Sequence, residues 1–330
     1  MGLPFDFEKR NKPVTWSVDG CIESPSLSFF ISKAGVGKSF LLEYLAVCMV
    51  YDHDFIGMQV EPCNVLLIDQ DTPKDVLNRR LRRFGKYMKE TSFKQKRNLY
   101  VKSMQGYSLS DGSLIKVIDK FDNVSLVIID SLNSICGTFD ANKTSDMSVL
   151  SRLKKAAVGE GKALIIVHHI SEHADITFDE IMTTSDTNRL TMGNSVINQQ
   201  ADCLFYLASK SGRSLSCLYV RPVPKRVVLD VKPFVARLVE EGNSAHFEMN
   251  GVYEYREPMY EADNDVLRLF VKQPKSRGTY DVFYDMLSKH TMYAVRKSLK
   301  KLVKRGYLKE NRKSKKLFTY ELASSSKEGD

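Results

Sequence analysis

The feature that most constrains the fold is a glycine-containing loop between an apolar strand pattern and an apolar helix pattern. The strand pattern LSFFIS occupies 27–32, the loop SKAGVGKS occupies 32–39, and the helix pattern SFLLEYLAVCMV follows Lys38. Backbone N–H groups of such a loop, together with the positive end of the helix dipole, form a concave site for an anion. The segment therefore predicts a phosphate-binding loop at the carboxyl end of a buried strand.

This loop has the spacing of a Walker A motif, with one departure. In that motif the lysine reaches β- and γ-phosphate oxygens and the next hydroxyl ligates Mg²⁺, which assigns these roles to Lys38 and Ser39. Ser32 stands where the motif has its first glycine, and Lys33 resembles the lysine that partition-type ATPases carry in their loop. The residues expected to hold ATP are Ala34, Gly35, Val36, Gly37, Lys38, Ser39 and Phe40.

Apolar strand patterns alternate with helix patterns over residues 25–250. The strand patterns are LSFFIS, NVLLID, NLYV, SLVIID, ALIIVHH, DCLFYL and LSCLYVR. Near-continuous apolar strands separated by helices predict an α/β fold with a mainly parallel sheet that is buried on both faces. After about residue 200 the helix patterns stop, which predicts antiparallel hairpins at the end of this sheet.

Three of these strands end in side chains that suit a magnesium-nucleotide site. SLVIID ends at Asp130, whose carboxylate can hold Mg²⁺ through water; a turn-capping aspartate is the alternative. VLLIDQD places Asp69 and Asp71 at the same sheet edge, where we expect them beside the phosphate-loop strand. ALIIVHH ends in His168 and His169, for which core packing is the alternative interpretation.

The succession of phosphate loop, LLIDQD, LVIIDS and VHH resembles the RecA-type motor core, and most closely the RepA-type plasmid helicases. The resemblance covers roughly residues 20–250. It implies ATP and Mg²⁺ as cofactors, with Ser39 and Asp130 as the metal-binding residues. It also implies that Asp71, where the family usually has glutamate, polarises the attacking water and that His169 senses the γ-phosphate.

The same resemblance implies a homo-oligomeric ring, expected to be a hexamer. In such rings the loops after the Asp130 and His169 strands, here 137–146 and 171–195, face a channel that holds single-stranded DNA. The segment VRPVPKRVV would then supply Arg226, with Arg221 and Lys225 as further candidates, to the γ-phosphate of a neighbouring subunit. A surface turn is the alternative for these three residues.

The net charge of +9 is concentrated near the C-terminus. Residues 261–330 hold 17 basic and 9 acidic residues, whereas residues 1–260 hold 32 and 31. Such a local excess predicts an anionic partner, most often nucleic acid, and a solvated tail is the alternative.

The C-terminal region resembles a winged helix–turn–helix domain. Helix patterns at 264–271, 280–287 and 292–303 precede two short strands that flank the basic turn NRKSKK at 311–316. We therefore predict an ATPase domain over 1–250, a linker over 251–263, and a duplex-binding domain over 264–330. Its expected DNA contacts are Arg296, Lys297, Lys300, Lys301, Lys304, Arg312, Lys313, Lys315 and Lys316.

Several classes of protein do not fit the sequence. The six cysteines include no CxxC pair, so we expect neither a zinc site nor a disulfide framework. No apolar run reaches the ~18–20 residues that span a bilayer, and the N-terminus lacks a signal-peptide pattern, which predicts a cytoplasmic protein without membrane contact.

The motifs and the resemblance to RecA-type motors together imply an ATP-dependent DNA motor. By resemblance it would be a replicative helicase or helicase loader of a mobile genetic element, with possible replication partners. The first alternative is an ATP-switched DNA-binding regulator, which Lys33 favours. The second is a binding module with a degenerate nucleotide site, which Ser32 and Asp71 favour.

Overall fold

The structure of the protein is a computed structural model in which the chain forms two compact units, Met1–Tyr255 and Arg256–Asp330. The division falls inside the segment predicted as a linker. No helix in the described part of the chain is long and apolar enough to cross a membrane. The described residues are 14–136, 144–170, 176–184, 187–191, 195–210, 217–227, 229, 231–253, 261–272, 287, 290–312 and 318–323.

The first unit contains eleven strands, eight α-helices and one 3₁₀ helix among its described residues. The strands are β1 (Thr15–Val18), β2 (Ile22–Ser24), β3 (Leu27–Lys33), β4 (Val65–Asp69), β5 (Leu99–Ser103), β6 (Leu126–Asp130), β7 (Ala163–Ile170), β8 (Cys203–Ala208), β9 (Cys217–Pro224), β10 (Phe234–Glu241) and β11 (Ser244–Val252). The helices are α1 (Lys38–Tyr51), α2 (Lys74–Glu90), α3 (Ser113–Lys120), α4 (Leu132–Cys136), α5 (Thr144–Ala157), α6 (Phe178–Thr183), α7 (Thr187–Leu190) and α8 (Ser195–Gln200).

Nine strands form one sheet in the order β11-β10-β9-β8-β3-β7-β6-β4-β5. The six strands from β8 to β5 pair in parallel, and β8 to β11 pair antiparallel. The predicted α/β class, the mainly parallel sheet and the antiparallel end are therefore confirmed. The expectation that β4 lies beside the phosphate-loop strand β3 was wrong, because β7 and β6 lie between them.

Helices cover both faces of this sheet, as its apolar strands require. Phe30 of β3 packs into one buried cluster together with α1 and α2, whereas Phe29 and Ile31 pack into a second cluster with α3 and α5. Successive strand residues point to opposite faces, so one short apolar strand contributes to two cores. The strand that carries the loop is thereby held from both sides.

Helix α2 packs its apolar stripe against the first of these clusters. Leu77, Phe84 and Met88 are buried, and the Phe84 ring centroid lies 5.3 Å from that of Tyr44 and 6.3 Å from that of Phe247. These contacts fix α2 against α1 and β11. The basic residues of α2 lie mainly on its other sides.

The segment 171–195, predicted as one long loop, contains the helices α6 and α7 in its described part. Thr177 begins α6 with a capping box: its hydroxyl accepts from the Glu180 N–H, and the Glu180 carboxylate accepts from the Thr177 N–H. Of the predicted channel residues, 137–143, 171–175, 185–186 and 192–194 lie outside the described residues.

The second unit contains two helices and a β-hairpin among its described residues: α9 (Glu261–Lys272), α10 (Met292–Lys304), β12 (Leu308–Arg312) and β13 (Phe318–Leu322). Val266 and Phe270 of α9 pack with Leu299 of α10 and Tyr320 of the hairpin. Thr291 caps α10, since its hydroxyl accepts a hydrogen bond of 3.2 Å from the Ala294 N–H. The predicted helix 280–287, apart from Leu287, and the turn residues Lys313, Lys315 and Lys316 lie outside the described residues, as does the Arg312 side chain.

The structure corrects the expectation for Lys301, which was assigned to the DNA-facing side of α10. Lys301 is only 6% exposed, and its ammonium lies 2.6 Å from the Asp263 carboxylate of α9. The buried side of α10 includes two polar residues, Ser298 and Lys301, in addition to its apolar residues. Arg296, Lys297, Lys300 and Lys304 remain exposed.

We expect Asp263→Ala to lower the unfolding free energy of the second unit by about 3 kcal/mol, because it leaves the Lys301 charge buried without this carboxylate. Amide hydrogen exchange along α10 in the full chain measures this opening directly. Lys300→Ala, one residue away and exposed, is the matched control. Equal protection of α10 in the two variants would show that the ion pair does not stabilise the unit.

Candidate active site

Two glycines give the loop before α1 its shape. Gly35 has φ 73° and Gly37 has φ 115°, both in the left-handed region that side chains with a Cβ rarely adopt. Gly37 immediately precedes the first residue of α1. The backbone thus turns sharply enough to place Lys38 under the loop and Ser39 at the helix N-terminus.

Lys38 is held inside the loop by three oxygens. Its ammonium donates to the Ser32 hydroxyl at 2.7 Å, to the Ser32 carbonyl at 3.1 Å and to the Lys33 carbonyl at 3.1 Å. The Ser32 hydroxyl itself donates to the Lys33 carbonyl at 2.8 Å. Ser32, which replaces the first glycine of the Walker A motif, therefore has a structural role. A glycine there would lack the hydroxyl oxygen that makes the shortest of these contacts with Lys38.

Burial lowers the pKa of Lys38 to about 8, and the negative charge of Asp130 opposes this shift. Lys38 is 2% exposed, so its ammonium has lost nearly all contact with water. With a pKa of about 8 it is still mainly protonated at pH 7. The loop therefore presents a desolvated positive charge, which interacts with phosphate oxygens more strongly than a hydrated one.

Asp71, Asp130 and His169 converge beside Lys38. One ligand atom from each lies within 4.8 Å of the others, and His169 Nε2 is 3.9 Å from Asp71 Oδ2. The three side chains follow or end the strands β4, β6 and β7, whose carboxyl ends share one edge of the sheet. The sequence prediction placed these residues together, and the structure agrees.

This cluster suits Mg²⁺. The Ser39 hydroxyl lies close enough to the Asp130 carboxylate to lower the pKa of that carboxyl, so α1 and β6 bring a hydroxyl and a carboxylate oxygen to the same region. The pKa of Asp130 is raised to about 6, mainly by burial and also by the charges of Asp69 and Asp71, whereas Ser39 and Lys38 oppose the rise. Mg²⁺ binds hard oxygen donors that carry negative charge, and it binds phosphate oxygens at the same time. The donor set therefore fits Mg-ATP.

The two histidines have different surroundings. Burial lowers the pKa of both to about 4, and the nearby charge of Lys38 contributes to this, so both rings are neutral at pH 7. His169 faces Asp71, whereas His168 is 7% exposed and lies level with Ile31 of β3. A neutral His169 can still donate one N–H to a phosphate oxygen. Its assignment as a γ-phosphate sensor stays a prediction.

Asp69 shapes the segment that carries Asp71. Its Oδ1 accepts the N–H of Asp71 at 2.9 Å and that of Thr72 at 2.7 Å, and the residue is 1% exposed. The Asp71 side chain lies in the cluster and is 44% exposed to solvent. Asp69 is thus a positioning residue, and Asp71 is the carboxylate that a bound nucleotide would meet.

Sequence reasoning missed Glu43, a buried carboxylate one turn along α1 from Ser39. It is 2% exposed and lies 3.1 Å from the guanidinium of Arg80 in α2, which also stacks 4.6 Å from the ring centroid of Phe40. Burial raises the pKa of Glu43 to about 8, and the charge of Arg80 opposes the shift. A lone acid in the apolar run SFLLEYLAVCMV was the signal that could have revealed this link.

The three basic residues assigned to a neighbouring subunit contact their own chain. Arg221 donates to the carbonyls of Ile181 and Thr184, and Lys225 donates to the Thr187 hydroxyl at 2.8 Å. The Arg226 guanidinium lies 3.4 Å from the Asp202 carboxylate.

Arg226 lies at the sheet edge opposite the loop. Its N–H donates to the Asp202 carbonyl, and the Asp202 carboxylate accepts from the N–H of Leu27, the first residue of β3. The loop follows the last residue of this seven-residue strand, which is about 20 Å long. Arg226 therefore cannot reach the phosphate loop of its own subunit.

Comparison with protein families identifies the class to which this site belongs. A family model described as AAA domain matches residues 3–175, just over half of the chain, including the phosphate loop, Asp71, Asp130 and His169. The chain belongs to this P-loop ATPase-like family, which binds nucleotide. The comparison with curated proteins gave no match.

We expect Asp71→Asn to keep ATP affinity and to lower turnover about 10²–10⁴-fold, the usual contribution of a positioned general base. Steady-state ATP hydrolysis and equilibrium nucleotide binding separate the two effects. Asp69→Asn is the matched control, because its amide oxygen can still accept both backbone N–H groups. Retained turnover in Asp71→Asn with loss in Asp69→Asn would reverse the roles of the two carboxylates.

Proposed function

We propose that this chain is a DNA-dependent ATPase, a ring-forming replicative helicase or helicase loader of a mobile genetic element. One observation carries this proposal: the chain combines, in its first unit, a side-chain cluster that fits Mg-ATP with an exposed basic helix face in its second unit. The AAA domain assignment supports nucleotide hydrolysis. DNA binding, the ring and the replication setting are parts of the proposal.

The first unit would promote hydrolysis by positioning and charge neutralisation, without a covalent intermediate. Mg²⁺, bound between Ser39 and Asp130, would supply positive charge at the phosphate oxygens. Lys38 would neutralise charge that develops on the γ-phosphoryl group, and Asp71 would orient the attacking water and accept its proton. His169 would donate an N–H to the same phosphoryl group.

The second unit would bind duplex DNA as a winged helix. Arg296, Lys297, Lys300 and Lys304 are exposed on α10, and the hairpin β12–β13 follows this helix. Side chains of this kind contact mostly phosphates, which fix the position of a protein on DNA without reading its sequence. The unit would thereby recruit the ATPase to duplex DNA.

The location of Arg226 excludes a role at the phosphate loop of its own chain, as the proposed ring requires. Because β3, a strand about 20 Å long, separates the two, the Arg226 guanidinium could act only on ATP bound to a neighbouring subunit. A ring whose active sites lie between subunits, expected to be a hexamer, would use Arg226, or Arg221 and Lys225, in this way. Hydrolysis would then require assembly.

We expect DNA to stimulate ATP turnover, and we expect an α10 variant (Arg296→Gln, Lys300→Gln, Lys304→Gln) to bind duplex DNA more weakly. If three phosphate contacts are lost, the slope of log K against log salt falls in magnitude by about 2–3. The matched control carries the same charge change on exposed lysines of the first unit: Lys116→Gln, Lys120→Gln, Lys155→Gln. Equal DNA binding by both variants would remove the second unit from the proposed interface.

Particle size with a non-hydrolysable ATP analogue separates the motor from its alternatives. Ring-sized particles together with DNA-stimulated turnover support the motor. Dimers that form only with nucleotide would instead identify an ATP-switched DNA-binding regulator. Absence of turnover in the wild-type protein would contradict the enzymatic assignment.

A further inference from the structure

The nearly neutral charge of residues 1–260 conceals a strong separation of charge. Residues 74–97 contain ten basic and two acidic residues, whereas the rest of 1–260 contains 22 basic and 29 acidic residues. One helix and the turn that follows it thus have a net charge of +8, whereas the rest of residues 1–260 has a net charge of −7. This excess matches that of the whole C-terminal region.

Helix α2 presents much of this charge as one exposed row. Arg79, Arg82, Lys86 and Lys89 are exposed and follow one another at spacings of three, four and three residues, which places them on one side of the helix. The opposite side holds the buried residues Leu77, Phe84 and Met88. At ~1.5 Å per residue, the row is about 15 Å long.

The arginines on either side of this row form ion pairs within the chain. Arg80 pairs with Glu43 at 3.1 Å, and Arg83 pairs with Glu240 at 2.6 Å. Within the row, Lys86 lies 3.4 Å from Glu90 of the same helix. No carboxylate among the described residues lies within 4.0 Å of the Arg79, Arg82 or Lys89 charges.

A groove runs along each side of the row. One, of about 730 Å³, lies between α2 and the turn at Gly242 and Asn243, and the other, of about 420 Å³, lies toward Tyr51 and Leu99. Arg82 and Lys86 line both grooves. The cations therefore stand on a ridge that an extended anionic chain could follow.

We propose that this α2 row binds the phosphodiester backbone of a nucleic acid strand, as a second contact within the ATPase unit. A nucleic acid strand carries one negative charge per nucleotide, so a row of four cations can neutralise several consecutive phosphates of the same strand. Guanidinium groups also match phosphate geometry with paired N–H donors. The proposal rests on the proposed function for the identity of the polyanion.

The row has a direct route to the catalytic segment. Helix α2 begins at Lys74, three residues after Asp71, and its Arg80 connects to Glu43 and Phe40 of the phosphate-loop helix. A nucleic acid strand bound along the outer side of α2 would thus contact the helix that begins three residues after Asp71. Binding on this side would couple nucleic acid to turnover.

The test uses the full chain and single-stranded oligo-dT as the probe. The α2 variant is Arg79→Gln, Arg82→Gln, Lys86→Gln, and the control is again Lys116→Gln, Lys120→Gln, Lys155→Gln. For single strands the salt slope changes by about 0.7 per phosphate contact, so losing three contacts reduces its magnitude by about 2. We expect the control to keep the wild-type slope, and the α2 variant to keep basal turnover and lose stimulation.

Two further variants complete the design. Arg79→Lys with Arg82→Lys retains the charges, so we expect it to keep the salt slope, which separates loss of charge from loss of fold. Combining the α2 and α10 variants should add their effects if the two contacts are independent.

An α2 variant that matches its control in slope and stimulation would overturn the inference. If the α2 variant keeps oligo-dT binding but no longer assembles, the α2 row contacts another subunit. That result would also overturn the inference. The proposed function fails separately, when the wild-type protein shows neither binding nor stimulation by DNA.

Discussion

The site depends on the burial of one positive charge, the Lys38 ammonium, at the edge where parallel strands end. Burial lowers its pKa to about 8, while the Ser32 hydroxyl and two loop carbonyls hold its N–H groups. The same burial raises the pKa of Asp130 to about 6. Burial disfavours the charged form of either group alone, and the opposite charge of the other group favours it. The cluster therefore requires the sheet order that brings β3, β7, β6 and β4 to one edge.

Helix α2 connects this edge to the outside of the ATPase unit. Its core side is fixed by Phe84 against α1 and β11, and its Arg80 reaches the buried Glu43. Its outer side carries the basic row. A single rigid helix thus touches the core, the segment after Asp71 and the solvent, which is the arrangement that a coupling element needs.

Sequence patterns predicted the sheet class and the members of the cluster because both depend on local signals. Apolar runs mark strands, and polar residues directly after parallel strands must share an edge, which placed Asp71, Asp130 and His169 correctly. The position of β4 in the sheet could not be read this way, since strand order is set by how helices cross the sheet. Lys301 was misassigned because its burial depends on α9, about 40 residues earlier in the chain, and Glu43 was missed because its partner Arg80 lies on another helix.

The measurement that tests the account most directly is ATP turnover by Lys38→Ala beside Lys33→Ala, its neighbour at the end of β3. We expect folded Lys38→Ala to lose turnover about 10²-fold or more, the usual effect of removing a preorganised charge from the transferring group, and Lys33→Ala to stay near the wild-type rate. A correctly folded Lys38→Ala protein that hydrolyses ATP at the wild-type rate would contradict the assignment of this site.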